Sequence, residues 1–349
     1  MRVFVTGHTG FKGSWFSLML KERGCLLAGL SDQFLTDSLY NVARLDKLYE
    51  KEFFVDIRNR EAVEDSITSF MPDLLFHFAA QPLVRDSYSR PHETFDVNVT
   101  GTVNVLEAVR NYDPSLPTVV VTTDKVYKNV DKKMGYVEED ELGGSDPYSA
   151  SKSAADIVAQ SYISSFEMSR TAIVRAGNVI GGGDWSKDRL LPDLIRSLIA
   201  RSPAAIRFPN ATRPWQHVLD CLWGYLILAD RLVLGECSGV WNFGPAKSHS
   251  GHTVSEVVEL VLTEWGGEGT WIADSSSHAK EAQLLTLDSS KARRELKWND
   301  VLDFEKSIGM TVDYYKRTLK GESPLEVMKN QLNEFQNIRN SISGPEAIP

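Results

Sequence analysis

The chain has 349 residues, 42% hydrophobic and 24% charged, with a formal net charge of −9. This composition fits a globular protein of one large or two modest domains, and the acidic balance gives no footprint for nucleic acid while allowing a local cationic pocket. Cys25, Cys221 and Cys237 stand far apart, so neither a disulfide framework nor a metal site is expected. Met1–Val5 runs into a glycine turn and does not read as a signal peptide, and no run approaches the roughly 18 apolar residues of a membrane span. A cytoplasmic protein without membrane association is expected.

In chain order, apolar runs at Val3–Thr6, Leu26–Leu30, Phe53–Val55, Leu74–Phe78, Thr118–Thr122 and Ala172–Arg175 read as strands. Helical patterns lie between them at Gly13–Arg23, Arg60–Phe70, Glu93–Asn111 and Tyr148–Phe166. Several strands are almost continuously apolar, as strands covered on both faces should be. The repeated β–α units predict an α/β fold with a doubly wound, parallel Rossmann-type sheet over residues 1–177.

After Asn178 the rhythm changes. Gly181–Trp185 is loop-like, Leu190–Ala200 reads as a helix and Ala204–Phe208 as a short strand. Thr253 and Glu256 have capping-box spacing ahead of an apolar helical run to Trp265. Further helices are expected at Ser289–Leu296 and Phe304–Leu319. Residues 178–325 should therefore form a smaller C-terminal α/β substrate-binding lobe, with about 210–245 returning to the first domain. The polar tail over 326–349 is expected to be poorly ordered.

Gly7, Gly10 and Gly13 follow the first strand and precede a helix, with the spacing Gly-x-x-Gly-x-x-Gly. A pyrophosphate needs such a turn to reach backbone N–H groups at the helix N-terminus. Asp32, at the end of the second strand, suits ribose hydroxyls and repels a 2′-phosphate, which favours NAD over NADP. Asp56 and Ile57 stand where the adenine ring would be flanked. Phe78, Ala79, Ala80 and Gln81 end the fourth strand with small residues that let backbone approach the cofactor. His77 reads as a packed strand residue.

Tyr148 and Lys152 sit four residues apart, on one face of a predicted helix. A phenol of pKa ~10 is a poor base at neutral pH, but a neighbouring ammonium and an oxidised nicotinamide favour the phenolate. Thr122–Tyr127 ends the fifth strand, at the sheet edge where ligands bind. The hydroxyl of Thr123, the acid of Asp124 and the amine of Lys125 suit acid–base work beyond hydride transfer. A plain oxidoreductase or epimerase needs only the hydroxyl beside the tyrosine.

These residues carry a resemblance. The chain resembles the extended short-chain dehydrogenase/reductases and, among them, the CDP-glucose 4,6-dehydratase family. The matching stretches include Thr6–Trp15, Ala79–Arg85, Thr123–Lys125, Pro147–Ser149, Arg175–Trp185, Asp188–Leu190, Arg213–Val218, Trp241–Pro245 and Leu287–Ala292. Val126 departs from the cysteine usual in the family, and Lys128–Met134 is more charged than expected. The resemblance implies bound NAD, held by Gly7, His8, Gly10, Phe11, Lys12, Gly13, Asp32, Asp56, Ile57, Phe78, Ala79, Ala80, Gln81, Asn98, Thr122, Tyr148 and Lys152.

It further implies oxidation at C4 of a nucleotide-linked hexose with Tyr148 as base, Thr123 on the C4 oxygen and Lys152 on the ribose, lowering the tyrosine pKa. Asp124 is then the acid for the departing C6 hydroxyl and Lys125 the base at C5. The product would be a 4-keto-6-deoxy sugar, an intermediate of deoxysugar biosynthesis. Arg189, Arg207 and Arg213 are candidates for the diphosphate, because arginine offers charge with directional donors. Asn178, Gln81, Arg85 and His217 complete the expected substrate set. By resemblance the protein is a homodimer or tetramer built through the helices at Glu93–Asn111 and Tyr148–Phe166. Two other readings stand beside this one: a nucleotide-sugar 4-epimerase, which leaves Asp124 and Lys125 without a task, and a non-catalytic NAD-sensing scaffold, which predicts a missing tyrosine or lysine.

Overall fold

A computed structural model describes residues 1–32, 36–246, 251–267, 269–274 and 284–343. From the N-terminus come β1 (Arg2–Thr6), α1 (Phe11–Glu22), β2 (Leu26–Ser31), α2 (Leu39–Val42), β3 (Tyr49–Phe54), α3 (Arg60–Phe70) and β4 (Leu74–His77). Helices α4 (Val84–Ser89), α5 (Pro91–Phe95) and α6 (Gly101–Tyr112) follow, then β5 (Thr118–Val121), α7 (Pro147–Ser165) and β6 (Thr171–Ala176). Next are β7 (Val179–Ile180), α8 (Leu190–Ile199), β8 (Ala204–Ile206), β9 (Gln216–His217), α9 (Val218–Val233) and β10 (Gly239–Phe243). The chain continues through α10 (Val254–Trp265), β11 (Trp271–Ala273), α11 (Ser290–Glu295), α12 (Phe304–Leu319) and α13 (Pro324–Ser343).

Seven strands in the order β3-β2-β1-β4-β5-β6-β10 form a wholly parallel sheet. β4, β5 and β6 are buried along their whole length, which requires helices on both faces. One core lies on the α3, α6 side and includes Phe4, Val63, Leu75 and Val105. The other includes Val3 and Val5 of β1, Leu222 of α9, Ile195 of α8 and Ile308 of α12, so it runs without a break into the smaller lobe. There β8 pairs with β11 and β7 with β9. β10 pairs with β6 and brings residues 239–243 back to the main sheet. Strand order reverses between β2 and β4 on either side of β1, and this switch point opens a crevice at the carboxyl ends.

Three local expectations are corrected. β3 begins at Tyr49, earlier than the apolar run suggests, because Glu50, Lys51 and Glu52 suit an exposed edge strand. The helix expected over Glu93–Asn111 is interrupted by a wider π turn at Asp96–Thr100. The tail expected to be poorly ordered is instead helix α13 as far as Ser343. Met328, Leu332 and Phe335 recur at helical spacing and are buried with Val327. Pro324 opens this helix, where its missing N–H is harmless.

Candidate active site

A cleft of about 1280 Å³ lies along the crevice. Its walls are the turn after β1, the ends of β2, β4 and β5, the start of α7, and residues of the smaller lobe from Gly177 to Asp193 and Ala204 to Arg213. A single small-ligand pocket is typically ~300–1,000 Å³, so this one has room for a dinucleotide and a substrate together.

At one end, glycine is required by contact. Gly7 adopts φ +70°, and a Cβ there would lie 2.6 Å from the Ala79 nitrogen. A Cβ on Gly13 would stand 2.4 Å from the Gly7 carbonyl oxygen. The turn therefore lies against both α1 and the β4 loop, and the first turn of α1 faces the cleft through Phe11, Lys12 and Gly13. Asp32, Asp56, Ile57, Phe78, Ala79, Ala80 and Gln81 line the same end. Arg58 holds the Asp56 carboxylate at 2.9 Å and keeps its pKa low. A backbone cradle, a carboxylate after β2 and small residues after β4 fit a dinucleotide.

Two expected cofactor residues, His8 and Asn98, are not among those lining this end of the cleft. The His8 side chain is buried beneath β2, with Nε2 2.9 Å from the Glu52 carboxylate and its ring edge-on to Tyr40 and Tyr49. Asn98 is also buried. Its amide accepts from Gln81 N at 2.7 Å and donates to the Gln81 carbonyl at 3.2 Å and to Ser151 Oγ at 2.9 Å. It fixes the β4 loop from behind.

At the centre, Asp146 caps α7 by accepting from Ser149 N at 2.9 Å, and this sets the helix start that carries Tyr148 and Lys152. Lys152 donates to the Val121 carbonyl at 2.8 Å, and burial pulls its pKa down to about 8. Burial pushes the Tyr148 phenol up to about 12; Arg189, and then a hydrogen bond with the Thr123 hydroxyl, act against it. With one of its three N–H donors on β5, the Lys152 ammonium keeps the others for a ligand, and the cation acting on the phenol in this structure is Arg189. Thr123 Oγ1 donates to Asp124 Oδ1 at 3.0 Å. Burial raises the Asp124 pKa, with Lys125, Thr123, Arg213 and Lys12 opposing. Its Oδ2 is buried without a hydrogen-bond partner among the described residues. Lys125 lines the cleft beside it, and Lys12 extends to within 3.4 Å of the Tyr225 hydroxyl.

Behind these groups lies a network that none of the sequence motifs announces. Thr122 Oγ1 donates to Asp156 at 3.0 Å, Asp156 pairs with Arg175, and Arg175 Nη1 donates to the Tyr127 hydroxyl at 2.8 Å. Two signals point to it in retrospect: an arginine inside an apolar strand, and an acid four residues after Lys152.

At the other end, the Gly181–Trp185 segment packs the lobes together. Trp15 Nε1 donates to the Gly182 carbonyl at 3.0 Å and Tyr315 donates to that of Asp184 at 2.6 Å. The Asp184 carboxylate then holds Arg189 at 3.1 Å. Across the mouth, Arg85 from the first domain pairs with Asp188 at 2.7 Å, and Arg207 donates to the Asp188 carbonyl at 2.8 Å. Arg213 and Asn178 line the cleft wall, Arg213 being nearly buried. Gln81 lines the cleft too, but its amide donates to the Leu83 carbonyl and Thr94 Oγ1. The expected substrate contact from His217 is corrected. It is fully buried, absent from the cleft wall, and caps α9 by accepting from Leu219 N at 3.3 Å. Burial takes its pKa down to about 3.

The family model described as GDP-mannose 4,6 dehydratase matches residues 4–311. The chain is 43% identical over 345 residues to CDP-glucose 4,6-dehydratase of Salmonella typhimurium strain LT2, covering 96% of each. It belongs to the nucleotide-sugar 4,6-dehydratase family. Two dehydratases of solved structure share its architecture. dTDP-glucose 4,6-dehydratase from Bacillus anthracis strain Ames, in complex with NAD, has a TM-score of 0.78 at 26% identity, covering 93% of this chain and 99% of that one. The same enzyme from Streptomyces venezuelae, also with NAD, has a TM-score of 0.78 at 25% identity, covering 93% and 100%. The doubly wound parallel sheet expected from the sequence is the fold of this dehydratase family.

Proposed function

We propose that the protein is an NAD-dependent hydro-lyase converting CDP-glucose to CDP-4-keto-6-deoxyglucose. The observation that carries this reading is the convergence of Tyr148, Thr123, Asp124 and Lys125 in one cleft beside the glycine cradle. An epimerase of this fold needs the phenol and the hydroxyl, but has no task for a buried acid with a lysine next to it.

Gly7, Gly10, Gly13, Asp32 and Lys152 would hold NAD, which accepts hydride from C4 and gives it back at C6. Tyr148 takes the C4 hydroxyl proton while Thr123 orients that oxygen. The resulting ketone acidifies C5, where Lys125 removes a proton and later returns it. Asp124, raised by burial, protonates the departing C6 hydroxyl. Arg189, Arg207, Arg213 and Asn178 bind the diphosphate, with Arg85 at the mouth. The CDP moiety is favoured by the 43% identity to a CDP-glucose enzyme.

Exposed Tyr88, Phe95, Ile157 and Phe166 on or next to α4, α5 and α7 support a homodimer through these helices. A cytoplasmic location accords with the finding that no helix among the described residues is long and apolar enough to cross a membrane. The test is turnover of CDP-, dTDP-, GDP- and UDP-glucose, read by the alkaline absorbance of the keto product. CDP-glucose should react fastest; no product from any of the four, with NAD bound, rules the reading out.

A further inference from the structure

Resting on the dehydratase reading, the geometry of the cleft also places the nucleoside. A diphosphate separates the sugar from the nucleoside. With the sugar at Tyr148 and Thr123 and the diphosphate at Arg189 and Arg207, the nucleoside must lie on the far side of those arginines. Arg189 is the N-cap of α8, and Arg207 directly follows β8. The base is therefore directed into the part of the cleft walled by α8 and β8, where Leu191, Leu194, Ala204 and Ile206 line it together with Phe208.

Among the residues of α8 and β8 that line the cleft, only Asp193 and Ser197 carry polar side chains. They lie four residues apart, so the helix presents them on one face. Arg196 fixes the acid from behind: its Nη1 donates to Asp193 Oδ1 while its Nη2 donates to the Trp185 carbonyl. Asp193 Oδ2 and the Ser197 hydroxyl make no hydrogen bond among the described residues. The Asp193 side chain is 46% exposed, so a ligand in the cleft can reach it. One carboxylate oxygen is thus held in place by an arginine and the other is left open.

We propose that Asp193 selects cytosine over uracil and thymine. Cytosine carries an amino group at C4, where uracil and thymine carry a carbonyl oxygen. A carboxylate accepts from the amino group. Against the carbonyl it has nothing to donate, and two acceptors then lose water without gaining a bond. Ser197 does not choose. Its hydroxyl donates to the bare N3 of cytosine or accepts from the N3–H of uracil. The choice of base rests on the carboxylate that Arg196 holds, and the serine adds affinity for either pyrimidine.

Calorimetry with CDP and UDP on the NAD-loaded protein reads this selection without any turnover. The wild type should bind CDP more tightly on the order of 10- to 100-fold, the scale of one matched base-edge contact. In D193N the amide can turn either its carbonyl or its NH2 toward the base. The preference should then shrink to about threefold or less, largely through a gain in UDP affinity. S197A should weaken CDP and UDP alike and keep their ratio. A D193N protein that still binds NAD and keeps the wild-type ratio overturns the role of Asp193 while leaving the dehydratase reading intact. A wild type that turns over UDP-glucose as fast as CDP-glucose overturns the CDP assignment in that reading, and the base selection with it.

Discussion

Asp156 and Arg175 meet through two hydrogen bonds, 2.8 Å at Nε and 2.7 Å at Nη2, with side chains 0% and 1% exposed. The pair ties α7, which carries Tyr148 and Lys152, to β6, and its acid also receives the Thr122 hydroxyl. Removing one member leaves the other charged and buried. D156N or R175M should therefore cost about 3–5 kcal/mol, the usual penalty for breaking a buried pair. Urea unfolding checks this; a loss below ~1 kcal/mol would mean that water or a neighbour replaces the missing partner.

Lys152 gives a pH dependence of known sign. Burial brings its pKa down to about 8, so the ammonium is present below that pH and lost above it. If the ammonium holds the cofactor ribose, kcat/KM falls as pH rises through about 8 in the free enzyme. K152R, always charged, should move this alkaline limb upward even where its overall rate is lower. A limb that stays in place would assign it to another group.

The mouth of the cleft should respond to salt. Asp188 sits at φ +62°, a costly conformation for a side-chain-bearing residue, and faces Arg85 and Arg207. The Arg85 and Asp188 side chains are 54% and 41% exposed, so the pair is weak and displaceable. D188N removes an anion that competes with an incoming diphosphate. Calorimetry should show CDP binding several-fold tighter at low ionic strength, with the gain largely gone at high salt. Weaker binding by D188N would instead make Asp188 an organiser of the arginines.

Helix α13 should be essential to the fold. Truncation after Gly321 removes Val327, Met328, Leu332 and Phe335 from the core that also holds α1 and α12. At roughly 1.5–3 kcal/mol per buried side chain, the loss is on the order of 6 kcal/mol or more, enough to consume most of a typical domain's stability. The truncated protein should be insoluble or unfold well below the full chain in a thermal scan; an unchanged midpoint would contradict the packing.

The parts legible in the sequence are those encoded locally. Tyr148 and Lys152 share a helix face, Thr123, Asp124 and Lys125 are contiguous, and the glycine turn sits between one strand and one helix. The side chains misjudged are those whose direction is set by distant partners. His8 turns inward because Gly29 leaves space, a Cβ there lying 2.5 Å from the imidazole, and because Glu52 on β3 receives it. Asn98 lies within the π turn, and Gly101 after it is needed to clear Ile57, whose Cγ2 would stand 2.6 Å from an added Cβ. His217 lies on a two-residue strand whose pairing with β7 sends the ring into the core. Prolines and polar residues conceal α13, although its apolar spacing is present in the sequence.

Dehydration in this cleft rests on an internal hydride shift from C4 to C6 of the sugar. The most direct measurement is mass spectrometry of the product formed from CDP-glucose carrying deuterium at C4. Loss of one water with the deuterium retained at C6 is the predicted result. Recovery of a sugar of unchanged mass with deuterium back at C4, as an epimerase would give, contradicts it.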